Sequence, residues 1–385
     1  MVRNGLRAVV VGTGMIGAVH ATAIRAAGGE LAGMVASTAR RSAQAAEEWG
    51  VPGRHPDFAA VLADESVQVV HVCTPNALHV PQTEAALRAG KHVICEKPLA
   101  TSAADAERLT ALAERAGLLL AVPFVYRYHP LVREIRDRRL RGDFGAWQLL
   151  HGSYLQDWML SQDVSSWRVD PDEGGPSRAF ADIGSHWCDL VEWVAGVRFA
   201  EVSARLGTTV ASRPAGTGSS FSTAVHGPRV PVRTEDVATT LLRTTDGVLG
   251  TLTVSQVSAG RKNRLWFELD GARASAVFDQ EQPETAWLGG QDGARIVVRD
   301  PQRGSAEQRR LSRLPAGHAQ GYADCFTSFV ADAYTTIRSG HAPEGLPTGA
   351  DGLRSARIVE AVLRSADSLA WTDVTDTPRD QEVTP

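Results

Sequence analysis

Three short stretches of this chain carry residue types that chemistry can use. The first is Gly12-Thr13-Gly14-Met15-Ile16-Gly17, with glycines at the first, third and sixth places. Glycines let a main chain approach a phosphate closely, and a helix starting there offers its free amides to the anion. The second is Glu96-Lys97-Pro98. A lysine at the end of a strand points into the cleft above the sheet. Low dielectric there lowers its pKa and lets it share a proton with a substrate hydroxyl. An ordinary surface lysine is the competing reading. The third is Asp182-Ile183-Gly184-Ser185-His186, preceded by Gly174-Gly175. At four residues apart, Asp182 and His186 share one face of a helix. Histidine is the common general acid/base, and a carboxylate one turn away orients or charges it. A helix N-cap at Asp182 with a satisfied core histidine explains the same spacing.

Strands must hold these stretches in place. Arg7 to Val11 reads as a strand running directly into the glycine motif. A helix over Ala18 to Ala27 and a second strand over Glu30 to Ser37 follow, which makes the motif a dinucleotide-binding turn. The end of the second strand sorts the two nicotinamide cofactors, because an acid there binds the ribose 2′-hydroxyl. This chain has Ser37 and Thr38, then Arg40 and Arg41. The missing acid and the added arginines lean towards a 2′-phosphate, hence NADP over NAD. The same arginines also suit the start of a solvated helix. Cys73-Thr74-Pro75-Asn76 closes the strand Val67 to Thr74, and strand C-termini are where ligands bind in open α/β sheets. Thr74, Asn76 and His79 are placed to touch ribose or phosphate, with His79 equally well satisfied by solvent.

Further helices over Ala39 to Trp49, Pro81 to Ala89 and Ala103 to Ala116 each stop at a glycine, and strands His92 to Cys95 and Leu118 to Phe124 alternate with them. That alternation makes a parallel sheet covered on both faces. Past Pro123 the pattern changes to a charged helix at Leu131 to Leu140, a strand at Trp147 to Trp158 and a helix at Ala181 to Ala195. Short strands then run between Glu201 and Phe278, so a mostly antiparallel sheet is expected. Ala211 to Arg229 reads as an exposed loop, and Thr372 to Pro385 as a loose tail.

Composition narrows the function class. The 385 residues suit two domains, and 43% apolar with 22% charged residues is a globular mixture. Forty basic against 44 acidic residues give a net charge of -4, which argues against nucleic acid or an anionic membrane as partner. No apolar run is long enough to span a bilayer, and Met1 to Leu6 lacks a signal-peptide core. Cys73, Cys95, Cys188 and Cys325 form no C-x-x-C pair, so buried thiols, a reducing cytoplasmic setting and no metal site are expected.

The glycine motif, Glu96-Lys97-Pro98 and Asp182-x-Gly184-x-His186, in this order, resemble the Gfo/Idh/MocA oxidoreductase family over about Leu6 to Val374. Phe124 to Pro130 looks like its domain junction, and Pro347 with Asp351-Gly352 like the start of its C-terminal helix. The resemblance implies an α/β protein. Its parts are a doubly wound N-terminal Rossmann sheet at 1–125 and, at 126–371, a C-terminal α/β domain with a large open sheet through which relatives form dimers or tetramers. It implies that helix 351–370 packs back on the first domain. It makes Lys97 the group that assists hydroxyl deprotonation, often followed by a cis proline bond, His186 the acid/base, and Asp182 a binder of a substrate hydroxyl. Cofactor contacts are then expected from Gly12, Thr13, Gly14, Met15, Ile16, Gly17, Ser37, Thr38, Arg40, Arg41, Thr74, Pro75, Asn76, His79, Glu96 and Lys97. The implied reaction moves a hydride between NAD(P) and a secondary alcohol of a sugar, anhydrosugar or cyclitol. Tyr126, Tyr128, Tyr154, Gln156, Trp158, Trp167 and Arg168 offer polar groups and flat faces for such a substrate, although core packing explains the aromatics equally well. A glycosidase that oxidises its substrate transiently with retained NAD is the alternative, and a non-catalytic cofactor sensor the lesser one.

Overall fold

A computed structural model describes residues 5–51, 55–216 and 224–374. The N-terminal part alternates β1 (Arg7–Val11), α1 (Met15–Ala26), β2 (Glu30–Val35), α2 (Ala39–Glu48), α3 (Phe58–Ala63), β3 (Val69–Val72), α4 (His79–Arg88), β4 (His92–Cys95), α5 (Ala103–Ala116) and β5 (Leu120–Ala121). These strands pair in parallel in the order β2-β1-β3-β4-β5. Val and Ile dominate β1, β3 and β4 because helices bury both faces of the sheet. Strand order reverses between β1 and β3, so a crevice opens outside their C-terminal ends. The glycine motif, Thr74 and Lys97 all sit on that edge. Ser102 accepts from the Asp105 amide to start α5, and Gly117 ends it in the left-handed region at φ 63°.

The second part begins with α6 (Pro130–Leu140), β6 (Trp147–Leu155), a short α7 (Pro171–Gly174) and α8 (Ser185–Ala195). Strands β7 (Phe199–Gly207), β8 (Ser212–Pro214), β9 (Arg229–Pro231), β10 (Val237–Thr244), β11 (Leu249–Ser255), β12 (Arg264–Gly271), β13 (Ala274–Asp279), β14 (Thr285–Gly290) and β15 (Gly293–Val298) follow. The chain closes with α9 (Ala306–Leu311), α10 (Tyr322–Ser339), α11 (Gly349–Ser368) and β16 (Thr372–Asp373). Nine of the strands form one sheet, β15-β14-β13-β12-β6-β11-β10-β7-β16, antiparallel except where β6 meets β11. Side chains alternate in and out along each strand. The inward set packs under α6, α8 and α11, with Trp187 wholly buried and its indole N–H donating to the Trp266 carbonyl. The outward set leaves Leu149, Leu241, Leu249, Ile296 and Val298 in solvent.

The C-terminal helices return to the first sheet. Phe326, Phe329 and Tyr334 of α10 share a core with Ala8 and Val10 of β1, while α11 lies between α5 and β7. No helix among the described residues is long and apolar enough to cross a membrane. All four cysteines are buried and free.

Several elements differ from the sequence expectation. Thr372 and Asp373, expected in the tail, pair with Val202 and Glu201 because β7 offers an open hydrogen-bonding edge. Residues 375–385 lie outside the described residues. The 211–229 loop is pinned at its ends by β8 and β9, and 217–223 lie outside the described residues. Strands β14 and β15 went unread, since their Gly289, Gly290 and Gly293 read as turn and their outward apolar residues break the alternation. Only Leu120 and Ala121 of the expected Leu118–Phe124 strand pair in the sheet.

Candidate active site

The crevice continues across the domain junction as one cleft of about 1210 Å³. The three glycines divide the work at its nucleotide end. Gly12 has φ 103°, and a Cβ there would collide with the Cys73 carbonyl. A Cβ on Gly17 would strike the Gly12 carbonyl, so Gly17 seats α1 on the turn rather than facing the cleft. A Cβ on Gly14 would meet nothing within 4 Å. That space, at an α1 N-terminus with no side-chain cap, is the shape a pyrophosphate fills. Thr13, Met15 and Ile16 line the same wall. The protein thus has room for a dinucleotide phosphate at the middle glycine of its motif.

At the β2 end Thr38 caps α2 by accepting from the Arg41 amide, and Arg41 Nη1 donates to Ser37 Oγ at 3.2 Å. Ser37, Thr38 and Arg41 line the cleft, whereas Arg40 is exposed on α2 outside that lining. Pro56, Asp57 and Phe58 close this end, which the sequence did not show. Thr74, Pro75 and Asn76 lie on the wall, with Thr74 Oγ1 donating to Gln82 and Asn76 Nδ2 to the Gly174 carbonyl across the junction. His79 lines the cleft but is not the solvent-satisfied loop histidine expected. It is buried in α4, and its two ring nitrogens face the carbonyls of Pro98 and Thr74 at 2.7 and 2.9 Å. It braces the turn that Lys97 occupies.

Lys97 precedes a cis proline bond. Its Nζ donates to Asp182 twice, to Oδ1 at 2.7 Å and to the main-chain oxygen at 2.9 Å. Gln256 Nε2 donates to the other carboxylate oxygen at 2.8 Å, and Arg168 Nε stands 3.5 Å from Oδ1. Burial pushes the Asp182 carboxyl up, but the Lys97 and then the Arg168 charge outweigh it and hold the group well below the usual carboxylate range. Neither spacing-based reading survives intact. Asp182 is no N-cap, since it lies in a π-helical turn, Phe180–Gly184, that feeds α8. Its carboxylate bonds Lys97 and not His186. Such wide turns recur at functional sites because they re-aim side chains without ending a helix.

His186 faces the cleft beside this group, edge-on to Phe124 and Tyr126 with ring centroids 5.7 and 5.1 Å away. Burial first, and the Lys97 charge second, push its pKa well below the usual imidazole value. It is a neutral base near neutrality, and its Nδ1 is buried without a hydrogen-bond partner among the described residues.

The far half is a polar network. Tyr126 and Tyr154 hydroxyls meet at 2.6 Å, Tyr154 and Gln156 both donate to Asn263 Oδ1, and Asn263 Nδ2 donates to Tyr126. Burial pushes the Tyr126 phenol up to about 12, so it stays protonated. Trp158 Nε1 donates to Gln156 Oε1, and the Arg168 guanidinium lies 4.3 Å from the Trp167 ring centroid. Tyr128 is a correction: it is buried away from the cleft, under Arg133 and against Phe329. Consecutive residues of the short 3₁₀ turn Val125–Tyr128 point to different sides, so only Tyr126 reaches the cleft.

Gln256, Asn263 and Tyr322 also line or brace the cleft and went unread. Gln256 and Asn263 had a signal. Each continues the inward phase of its strand, after Leu252 and Val254 and before Leu265 and Phe267, where a polar residue is out of place.

A family model described as the oxidoreductase family, NAD-binding Rossmann fold, matches residues 6–124, and the GFO/IDH/MocA C-terminal domain model matches 132–277. Levoglucosan dehydrogenase of Pseudarthrobacter phenanthrenivorans is 30% identical over 344 residues, 86% of each chain. An oxidoreductase domain protein from Kribbella flavida has a crystal structure similar at TM-score 0.87 and 33% identity, covering 97% of this chain and 100% of that one. A levoglucosan dehydrogenase complex with NADH and levoglucosan is similar at TM-score 0.87 and 27% identity, with the same coverage.

Proposed function

Because this chain belongs to the Gfo/Idh/MocA oxidoreductase family, we propose that it moves a hydride between NAD(P) and a secondary alcohol or ketone of a sugar, anhydrosugar or cyclitol. The observation that carries this reading is the Lys97–Asp182–Gln256 group beside a neutral His186, at the junction of the glycine-lined wall and the Tyr126–Asn263 network. The relative's complex with levoglucosan supports an anhydrosugar in the second half.

A nicotinamide dinucleotide, when bound, supplies the hydride acceptor. The chain's residues do the rest. Gly12, Gly14 and the first amides of α1 bind its phosphates, while Ser37, Thr38 and Arg41 meet the adenosine ribose and suit a 2′-phosphate. Lys97 donates to the substrate oxygen, and Asp182 accepts from a neighbouring hydroxyl. His186 takes the hydroxyl proton during oxidation and returns it in reduction. Tyr154, Gln156 and Arg168 orient the ring between the faces of Trp158 and Trp167. The outward apolar face of the second sheet supports a homodimer or homotetramer, which light scattering measures, and the buried thiols support a reducing cytoplasm.

The test is to denature freshly purified protein and identify released nucleotide, then to assay the protein with added NAD or NADP and a panel of anhydrosugars and cyclitols. Turnover coupled to dinucleotide reduction is expected. Stoichiometric retained nucleotide with sugar hydrolysis and no net reduction would overturn the dehydrogenase reading.

A further inference from the structure

From Glu96, which lines the cleft beside Lys97, a row of buried polar side chains runs back through the first domain. Glu96 Oε2 accepts from the Lys97 amide at 3.2 Å, and Glu96 Oε1 lies 3.0 Å from His20 Nε2. His20 Nδ1 meets His71 Nδ1 at 2.8 Å, and His71 Nε2 meets the Tyr334 hydroxyl at 3.0 Å. His20, His71 and Tyr334 have no solvent exposure. They come from α1, β3 and α10, so the row ties the helix of the glycine motif and a C-terminal helix to the end of β4.

Counting protons fixes the direction. The Tyr334 hydroxyl has no other hydrogen bond among the described residues, so its hydrogen has an acceptor only if it donates to His71 Nε2. His71 then carries its single proton on Nδ1 and donates to His20 Nδ1. Burial pushes the His71 pKa far down, in keeping with one proton on that ring. His20 therefore carries hydrogen on Nε2 and donates to the Glu96 carboxylate. Run in reverse, or with a doubly protonated His20, the chain leaves the Tyr334 hydrogen buried without an acceptor, which is costly.

We propose that Tyr334, His71 and His20 form a one-way hydrogen-bond chain that holds the Glu96 carboxylate, and through it the Lys97 main chain, in register with the cleft. This rests on reading the cleft as a dinucleotide-dependent active site. The three are positioning residues, and none of them touches the reacting atoms. Conserving the direction matters more than conserving the bulk: the His20 place must donate towards Glu96 and accept from His71.

Two substitutions at one position separate that role from packing. A glutamine presents a donor and an acceptor where His20 uses Nε2 and Nδ1. A phenylalanine keeps the ring and loses both. His20→Gln is expected to keep kcat and KM for dinucleotide near the parent values. His20→Phe is expected to lower kcat about tenfold, the size of one lost hydrogen bond to a charged group. A packing role predicts the opposite order. Equal turnover in both variants, or a better His20→Phe, overturns the proposal. Should His20→Phe fail to fold, nitrogen–proton NMR of the unsubstituted protein decides. It is expected to show His71 protonated on Nδ1 and His20 on Nε2, with the His71 signal moving in Tyr334→Phe, and the reverse assignment overturns the chain. Dinucleotide binding to the parent is titrated in parallel. Absence of any binding counts against the cleft reading, while the NMR assignment still tests the chain.

Discussion

Replacing Asp182 by Asn removes one charge from the centre of the site with little change of shape. Its two carboxylate oxygens each receive a donor, Lys97 Nζ at 2.7 Å and Gln256 Nε2 at 2.8 Å. An asparagine has one oxygen to offer, so its amide hydrogens face one of those donors. Gln256 relieves that clash by turning its amide, since its own Oε1 is buried without a partner among the described residues. What cannot be relieved is the charge. Lys97 keeps a hydrogen bond but exchanges an ionised acceptor for a neutral one, a loss of about 1–1.5 kcal/mol. His186 loses a nearby negative charge that opposes burial and the Lys97 charge, so it becomes a weaker base. The exchanged acceptor alone corresponds to a fall of about tenfold in kcat/KM, and the weaker base adds to it in the same direction. The assay is initial-rate nicotinamide absorbance over a range of anhydrosugar concentrations spanning KM, beside a fluorescence titration of dinucleotide affinity. Affinity is expected to hold, because Asp182 lies beyond the glycine-lined wall. Parent-like kcat/KM in Asp182→Asn would refute the assignment of Asp182 as the organiser of Lys97.

Gly14→Ala is expected to fold with the parent's thermal stability, since its Cβ enters open space, yet to lose about tenfold or more in dinucleotide affinity, about 1.4 kcal/mol. Calorimetry and binding titration check the pair, and unaltered affinity would remove the pyrophosphate from that space. Arg41→Ala is expected to weaken NADP binding by about tenfold while sparing NAD, as loss of a phosphate contact would. Equal effects on both would show that Arg41 only braces Ser37. Burial holds His71, His79, His129 and His186 below the usual imidazole range, His129 at about 4. The unfolded chain then takes up protons first as pH falls below about 6.5. Stability is therefore full above that pH and declines in acid by up to roughly 1.4 kcal/mol per pH unit for each such histidine. Denaturant midpoints between neutrality and about pH 5 report the slope, and a flat profile contradicts the buried neutral histidines.

Local signals were enough for the skeleton of the site. Glycine spacing after a strand, a lysine at a strand end and an acid four residues before a histidine each depend on neighbours in sequence, and all three reach one cleft. Patterned apolar runs likewise dictated a parallel sheet followed by a mostly antiparallel one. Pairing across the sequence was not legible. Asp182 bonds a lysine 85 residues away rather than its helical neighbour, because a π-helical turn rotates it towards the junction. Tyr126 and Tyr128 look equivalent as residues, yet one short turn sends the first to the cleft and the second to a core. Asn263 and Gln256 matter only because strands distant in sequence set them beside Tyr126 and Asp182. Short-range periodicity decides which elements form. The direction each polar side chain takes is decided by which buried donor or acceptor the tertiary packing leaves for it to satisfy.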